Sequence, residues 1–115
     1  MSEFIEIEIR LVPVYGSGGL RSKFPALVDL LEEYGYTLVL DREPTLYHLV
    51  DVLVRIRNDP AVPDRRKGAV TRLADRFVRI RDEAREHLLG RRLNELDKTL
   101  YTLEDLFREL DRELR

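Results

Sequence analysis

The sequence predicts an α+β fold: a small two-layer domain of about three strands, at least partly antiparallel, in the order β-α-β-β and followed by a helical C-terminal half. Three observations predict it. Residues 4–12 (FIEIEIRLV) alternate apolar and charged side chains, two later runs are rich in β-branched residues, and from Ala69 onward the apolar period changes to three and four. At 115 residues the chain reads as one domain, with a sheet-containing half over 1–68 and a helical half over 69–115.

The first element is Phe4 to Val12. Ile5, Ile7, Ile9 and Leu11 fall on one side and Glu6, Glu8 and Arg10 on the other, which is the period of a half-buried strand. Pro13 ends its pairing. Ser22 then caps a helix that runs to about Tyr34, with Pro25 tolerated in its first turn and Gly35 just past its end. Phe24, Leu27, Val28, Leu31 and Tyr34 make its apolar face. Tyr36 to Leu40 reads as the second strand, and Asp41 to Pro44 as a turn.

The third strand is placed from Leu49 to Arg57. Val50, Val52, Val54 and Ile56 alternate there, and their restricted χ1 angles favour an extended chain. A second pattern competes over the same residues. Leu46, Leu49, Val50, Leu53 and Ile56 behind Thr45 also fit a capped helix, and the density of β-branched residues decides for the strand.

Asn58 to Gly68, with two prolines and the cluster Arg65-Arg66-Lys67, reads as a loop. Val70, Leu73, Phe77, Ile80, Ala84 and Leu88 then repeat at helical spacing. The rhythm continues as Leu89, Leu93, Leu96, Leu100, Leu103, Phe107, Leu110 and Leu114, a heptad stripe of leucine and phenylalanine. Gly90 is a weak point, and Thr102 with Asp105 has capping-box spacing. Helices over 69–89, 91–100 and 103–114 therefore pack back on the sheet, or one long rod offers its leucines to another chain.

Composition excludes more than it assigns. The chain has no cysteine, so it has no disulfide framework and no thiolate nucleophile, and no zinc-site spacing is present. The start of the chain lacks the form of a signal peptide, and no apolar run is long enough for a membrane span, so a cytoplasmic home is expected. Arginine far outnumbers lysine, as in some thermophilic proteins. Charge is unevenly spread: residues 1–54 hold four cations and nine anions, residues 55–92 twelve and six, and residues 93–115 four and seven.

Three candidate sites follow. The first is the glycine loop Gly16, Ser17, Gly18 and Gly19 with Arg21 and Lys23, ordered as strand, loop and helix like an anion site. It matches neither the P-loop nor the dinucleotide fingerprint, so a structural corner is the stronger reading. The second is a basic patch of Arg55, Arg57, Arg65, Arg66, Lys67, Arg72, Arg76 and Arg79, which suits nucleic-acid phosphates but is interleaved with Asp59, Asp64, Asp75, Asp82 and Glu83. The third is the leucine stripe, as interface or as core. An antiparallel arrangement would set Arg72, Arg76 and Arg79 against Glu104, Asp111 and Glu113, within one chain or between two.

His48 and His87 stand apart, and neither has a metal-site pattern around it. Ser17 with His48 and Asp51 or Asp41 has no local geometry that would make a triad. No catalytic residue, metal or cofactor is assigned. The expected function is a non-enzymatic interaction or assembly module that self-associates as a homodimer. The alternatives are a nucleic-acid-binding accessory protein using residues 55–92 and a small phosphate-ligand-binding protein or enzyme using the Gly16–Gly19 loop.

Overall fold

The computed structural model describes residues 11–13, 15 and 17–115. These residues form six helices: α1 (Gly19–Lys23), α2 (Pro25–Glu33), α3 (Thr37–Asp41), α4 (Leu46–Asn58), α5 (Asp64–Leu89) and α6 (Leu93–Leu114). Among the described residues there is no strand, so the α+β fold with three strands is corrected to an all-helical one.

Each predicted strand is affected differently. Most of Phe4–Val12 lies outside the described residues, and Leu11 and Val12 belong to no regular element. Tyr36–Leu40 contributes to the one-turn helix α3, in which no residue is fully buried. A lone five-residue strand has no partner for its backbone groups, whereas a helical turn satisfies some of them within itself.

Leu49–Arg57 is the instructive error, because it lies within α4. Thr45 caps that helix, its Oγ1 accepting the backbone N–H of His48 at 3.2 Å. Leu49, Val50, Val52, Leu53 and Ile56 are all buried by it. Burial of a large apolar side chain is worth about 1.5–3 kcal/mol. The helical penalty of a β-branched residue is a few tenths, up to ~0.7 kcal/mol, so packing wins.

The long helices follow the predicted period. α5 begins inside the predicted loop, at Asp64 after Pro63, with the carboxylate of Asp64 at the positive end of the helix dipole. It ends at Gly90. α6 then runs unbroken through Thr102, whose hydroxyl donates to the Lys98 carbonyl at 3.1 Å, so the predicted break at that threonine does not occur. Ion pairs fix the directions of packing. Arg57–Asp75 at 3.0 Å and Arg81–Asp51 at 2.6 Å set α4 antiparallel to α5. Arg72–Glu113 and Arg76–Glu109 do the same for α5 and α6.

The leucine stripe supplies the core of this hairpin. Leu96, Leu103, Phe107 and Leu110 are buried, Leu100 and Leu114 partly so, while Leu89 and Leu93 are not covered. Phe107 stacks between Phe77, 4.6 Å away, and Phe24, 6.0 Å away, which ties α2 to both long helices. A single apolar cluster therefore joins residues from both predicted halves of the chain.

A second tie is polar. Phe24, at the start of α2, provides no side-chain cap. Asp111 of α6 takes that role: it is 2 % exposed, and its Oδ1 accepts the N–H of Leu27 at 3.0 Å. At the other end of α2, Glu33 pairs with Arg66 at 2.6 Å. The small helices thus cover the end of the bundle where α5 begins and α6 finishes, and among the described residues Leu89 and Leu93 beside the α5–α6 turn at the opposite end stay exposed. The Cα radius of gyration is 15.5 Å, above the roughly 13 Å expected for a compact chain of this length.

Candidate functional site

The candidate site is built on the uncovered side of α6. Leu93, Asp97, Leu100, Tyr101 and Glu104 recur at spacings of four, three, one and three, which places them along one side of a helix. Leu93 is 57 % exposed, Tyr101 62 % and Leu89, across the turn, 73 %. Beside them lies a groove of about 220 Å³. Leu46 and Tyr47 of α4 form one wall, Leu100 and Tyr101 the other, and Leu11, Val12, Phe24 and Leu103 complete the apolar lining.

Its polar rim is modest. Glu104 is paired with Arg108 at 2.7 Å and lies 3.6 Å from Lys23. Asp97 is exposed, with no cation within pairing distance among the described residues. Tyr15 donates its phenolic O–H to the Pro44 carbonyl, and burial pushes its pKa up to about 12. Such a groove can hold apolar side chains. It offers no nucleophile–base pair, and no group of three or more metal-binding side chains is found among the described residues.

The predicted anion loop is arranged as a corner. Gly18 and Gly19 have φ of 88° and 64°, in the left-handed region that favours glycine. A Cβ on Gly18 would also lie 2.9 Å from that of Ser22. Arg21 is engaged by Glu32 and by Asp29, and Lys23 points toward Glu104 rather than into the loop. Ser17 is exposed, and Gly16 lies outside the described residues.

Much of the basic patch is neutralised within the chain. Arg57, Arg66, Arg72 and Arg76 each meet a carboxylate, and Lys67 is buried with its Nζ donating to the Asp59 carbonyl at 2.8 Å. Arg55, Arg65 and Arg79 are exposed, and they sit on two different helices. Asp59 itself is held below the usual carboxylate range by the N–H of Ala61 and then by the Tyr36 hydroxyl.

No known protein family, curated protein or solved structure matches the sequence. The chemistry of its own side chains therefore carries the functional reading. His48 is 2.6 Å from the Thr45 hydroxyl through Nδ1, and His87 receives Arg92 Nε on Nδ1 at 3.1 Å, so both rings serve local helix ends.

Sequence reasoning reached Leu89, Leu93 and Leu100 but missed Tyr101, Asp97, Leu46 and Tyr47. Tyr101 lies one step off the heptad, eight residues after Leu93, where it extends the stripe sideways. Leu46 and Tyr47 were legible as the first turn of a helix capped by Thr45, the pattern set aside in favour of a strand. None of the helices among the described residues is long and apolar enough to cross a membrane.

Proposed function

We propose that this chain is a non-catalytic interaction module that self-associates through apolar helix surface. The observation that carries the reading is the exposed run Leu89, Leu93 and Tyr101 beside an apolar groove; of the other large apolar side chains exposed among the described residues, Val12 lines the same groove and Leu38 stands alone on α3. Contiguous apolar surface of this kind, rimmed by charge, marks interaction sites. Each such side chain withdrawn from water contributes about 1.5–3 kcal/mol.

The alternatives draw less support. Phosphate binding by the glycine loop must compete with Glu32 and Asp29 for Arg21. Nucleic-acid binding must compete with four carboxylate partners along α5. Both competitions cost affinity before any ligand contact is made.

Light scattering on the full chain across a concentration series tests the reading. The weight-average mass should rise from that of the 13.6 kDa monomer toward twice that value. A constant monomer mass at the highest attainable concentration would end it.

A further inference from the structure

Resting on the self-association reading, we infer that a second copy of the chain packs antiparallel against the bare side of α6, about a two-fold axis near Asp97. Leu93 of each copy then lies against Leu100 and Tyr101 of the other.

The case begins with where coverage stops. The side of α6 that carries Leu93, Asp97, Leu100 and Tyr101 continues to Glu104 and Asp111. There it is covered: Lys23 of α1 approaches Glu104 at 3.6 Å, and Asp111 is buried on the N–H of Leu27. Toward the N-terminus of the helix nothing among the described residues takes over, and Leu93 and Tyr101 remain more than half exposed. One helix side is thus part core and part surface, and the surface part keeps the apolar residues of a core.

Charge selects the occupant. The turn between α5 and α6 presents Arg91 and Arg92 next to Leu89 and Leu93, whereas the groove presents next to Leu100 and Tyr101 the carboxylate of Asp97, without a cation partner among the described residues, and Glu104, which Arg108 and Lys23 already engage. An apolar knob with cations and an apolar groove edged by an unmatched carboxylate are complementary. Because both lie on the same stretch of α6, a single two-fold axis across that helix places each knob in the other copy's groove. The contact closes on itself instead of propagating into a fibre. The axis brings the two Asp97 carboxylates near one another, with the turn arginines of each copy as counter-charge. The other candidate occupant, this chain's own residues 1–10, carries Glu3, Glu6 and Glu8 against the single cation Arg10, so its side chains are net negative and would add like charge beside Asp97.

Two variants of the full chain test this arrangement by light scattering and by oxidation. Leu93→Glu, at an exposed position, should leave folding intact and weaken dimerisation by about tenfold or more. Asp97→Cys, in a chain that has no other cysteine, should form an intermolecular disulfide under mild oxidation, since residues beside the axis approach within bridging distance. Leu38→Cys, exposed on α3, serves as the control and should not. A dimer unaffected by Leu93→Glu, with Asp97→Cys no more readily bridged than Leu38→Cys, would overturn this interface while leaving self-association standing. A monomer at every concentration would remove both. A monomer that dimerises once residues 1–10 are deleted would show that the chain covers its own groove, which also overturns the proposal.

Discussion

Removing the Asp111 carboxylate should destabilise the fold far more than removing a carboxylate from a surface ion pair. The carboxylate is almost wholly buried, and it caps α2 from a helix 84 residues away in sequence. Its second oxygen accepts from Arg115 Nη2 at 3.2 Å, but the Arg115 side chain is 63 % exposed and that pair adds little. In Asp111→Ala the N–H of Leu27 loses its acceptor in a buried setting, which costs about 1–3 kcal/mol. The lost charge at a helix N-terminus adds ~0.3–1 kcal/mol, more where the site is buried. The two together come to about 3 kcal/mol. For a domain of this size that corresponds to a fall in Tm of roughly 10–15 °C. Asp111→Asn keeps an acceptor of the same shape and should lose about half as much. Thermal and urea unfolding followed by circular dichroism measure both variants, and Arg115→Ala should lie near wild type. If Asp111→Ala unfolds within about 0.5 kcal/mol of wild type, an error-sized change for a surface residue, the cap assigned to it does not hold the two helices together.

Phe107→Ala should cost about 3–5 kcal/mol, because the ring is fully buried between Phe77 and Phe24 and its removal opens a cavity; equilibrium unfolding checks it, and a loss under 1 kcal/mol would contradict the packing. Arg91 has φ of 55° just past the end of α5, where glycine is at ease, so Arg91→Gly should stabilise the chain by up to about 1 kcal/mol, and a lower urea midpoint would refute this. Tyr15 ionises only near pH 12, above the ordinary 10.0, so the folded state favours the neutral phenol. Its contribution is complete below pH 10 and is lost as pH rises through the folded value; Tyr15→Phe should therefore make stability less sensitive to pH over that alkaline window. Asp59 has the opposite sign: its folded pKa is lowered, so its contribution is present above the ordinary aspartate range and disappears on acidification. Asp59→Asn should flatten that acid limb in denaturation measured against pH.

The helical half was legible because its signal is redundant. Leu103, Phe107 and Leu110 obey one period over about two turns, and that period exists for no other element type. The antiparallel meeting of Arg72 with Glu113 follows from the same spacing. Residues 46–58 were not legible by the same means, since Val50 and Ile56 satisfy both a period of two and a helical one, while Val52 fits the period of two alone. Local stiffness is a small term beside the burial that α5 and α6 supply, and neither helix lies within the sequence window of residues 46–58. Val52 is 5 % exposed because α4 packs against both α5 and α6 and leaves only the His48, Asp51, Arg55 and Asn58 face open, so the side chain that broke the helical stripe is buried as well. The short run Thr37–Asp41 carries too few residues to show any period.

The charge segregation along the chain bears on the candidate site. The cationic middle and the anionic C-terminal segment reach each other through Arg72–Glu113 and Arg76–Glu109, while Arg81–Asp51 and Arg66–Glu33 tie the middle to the acidic first segment. These pairs are partly exposed and individually weak, about 0–1 kcal/mol each, so they orient helices whose packing apolar burial secures. Their consequence for function is subtraction. Cations engaged within the chain are less available to a phosphate, and Arg55, Arg65 and Arg79, which stay exposed, are split between two helices, whereas the exposed Leu89, Leu93 and Tyr101 lie together around the start of α6. On the proposed reading, a chain that uses its charges to align its own helices and leaves leucine exposed at one end meets protein there, and substitutions at that end test it first.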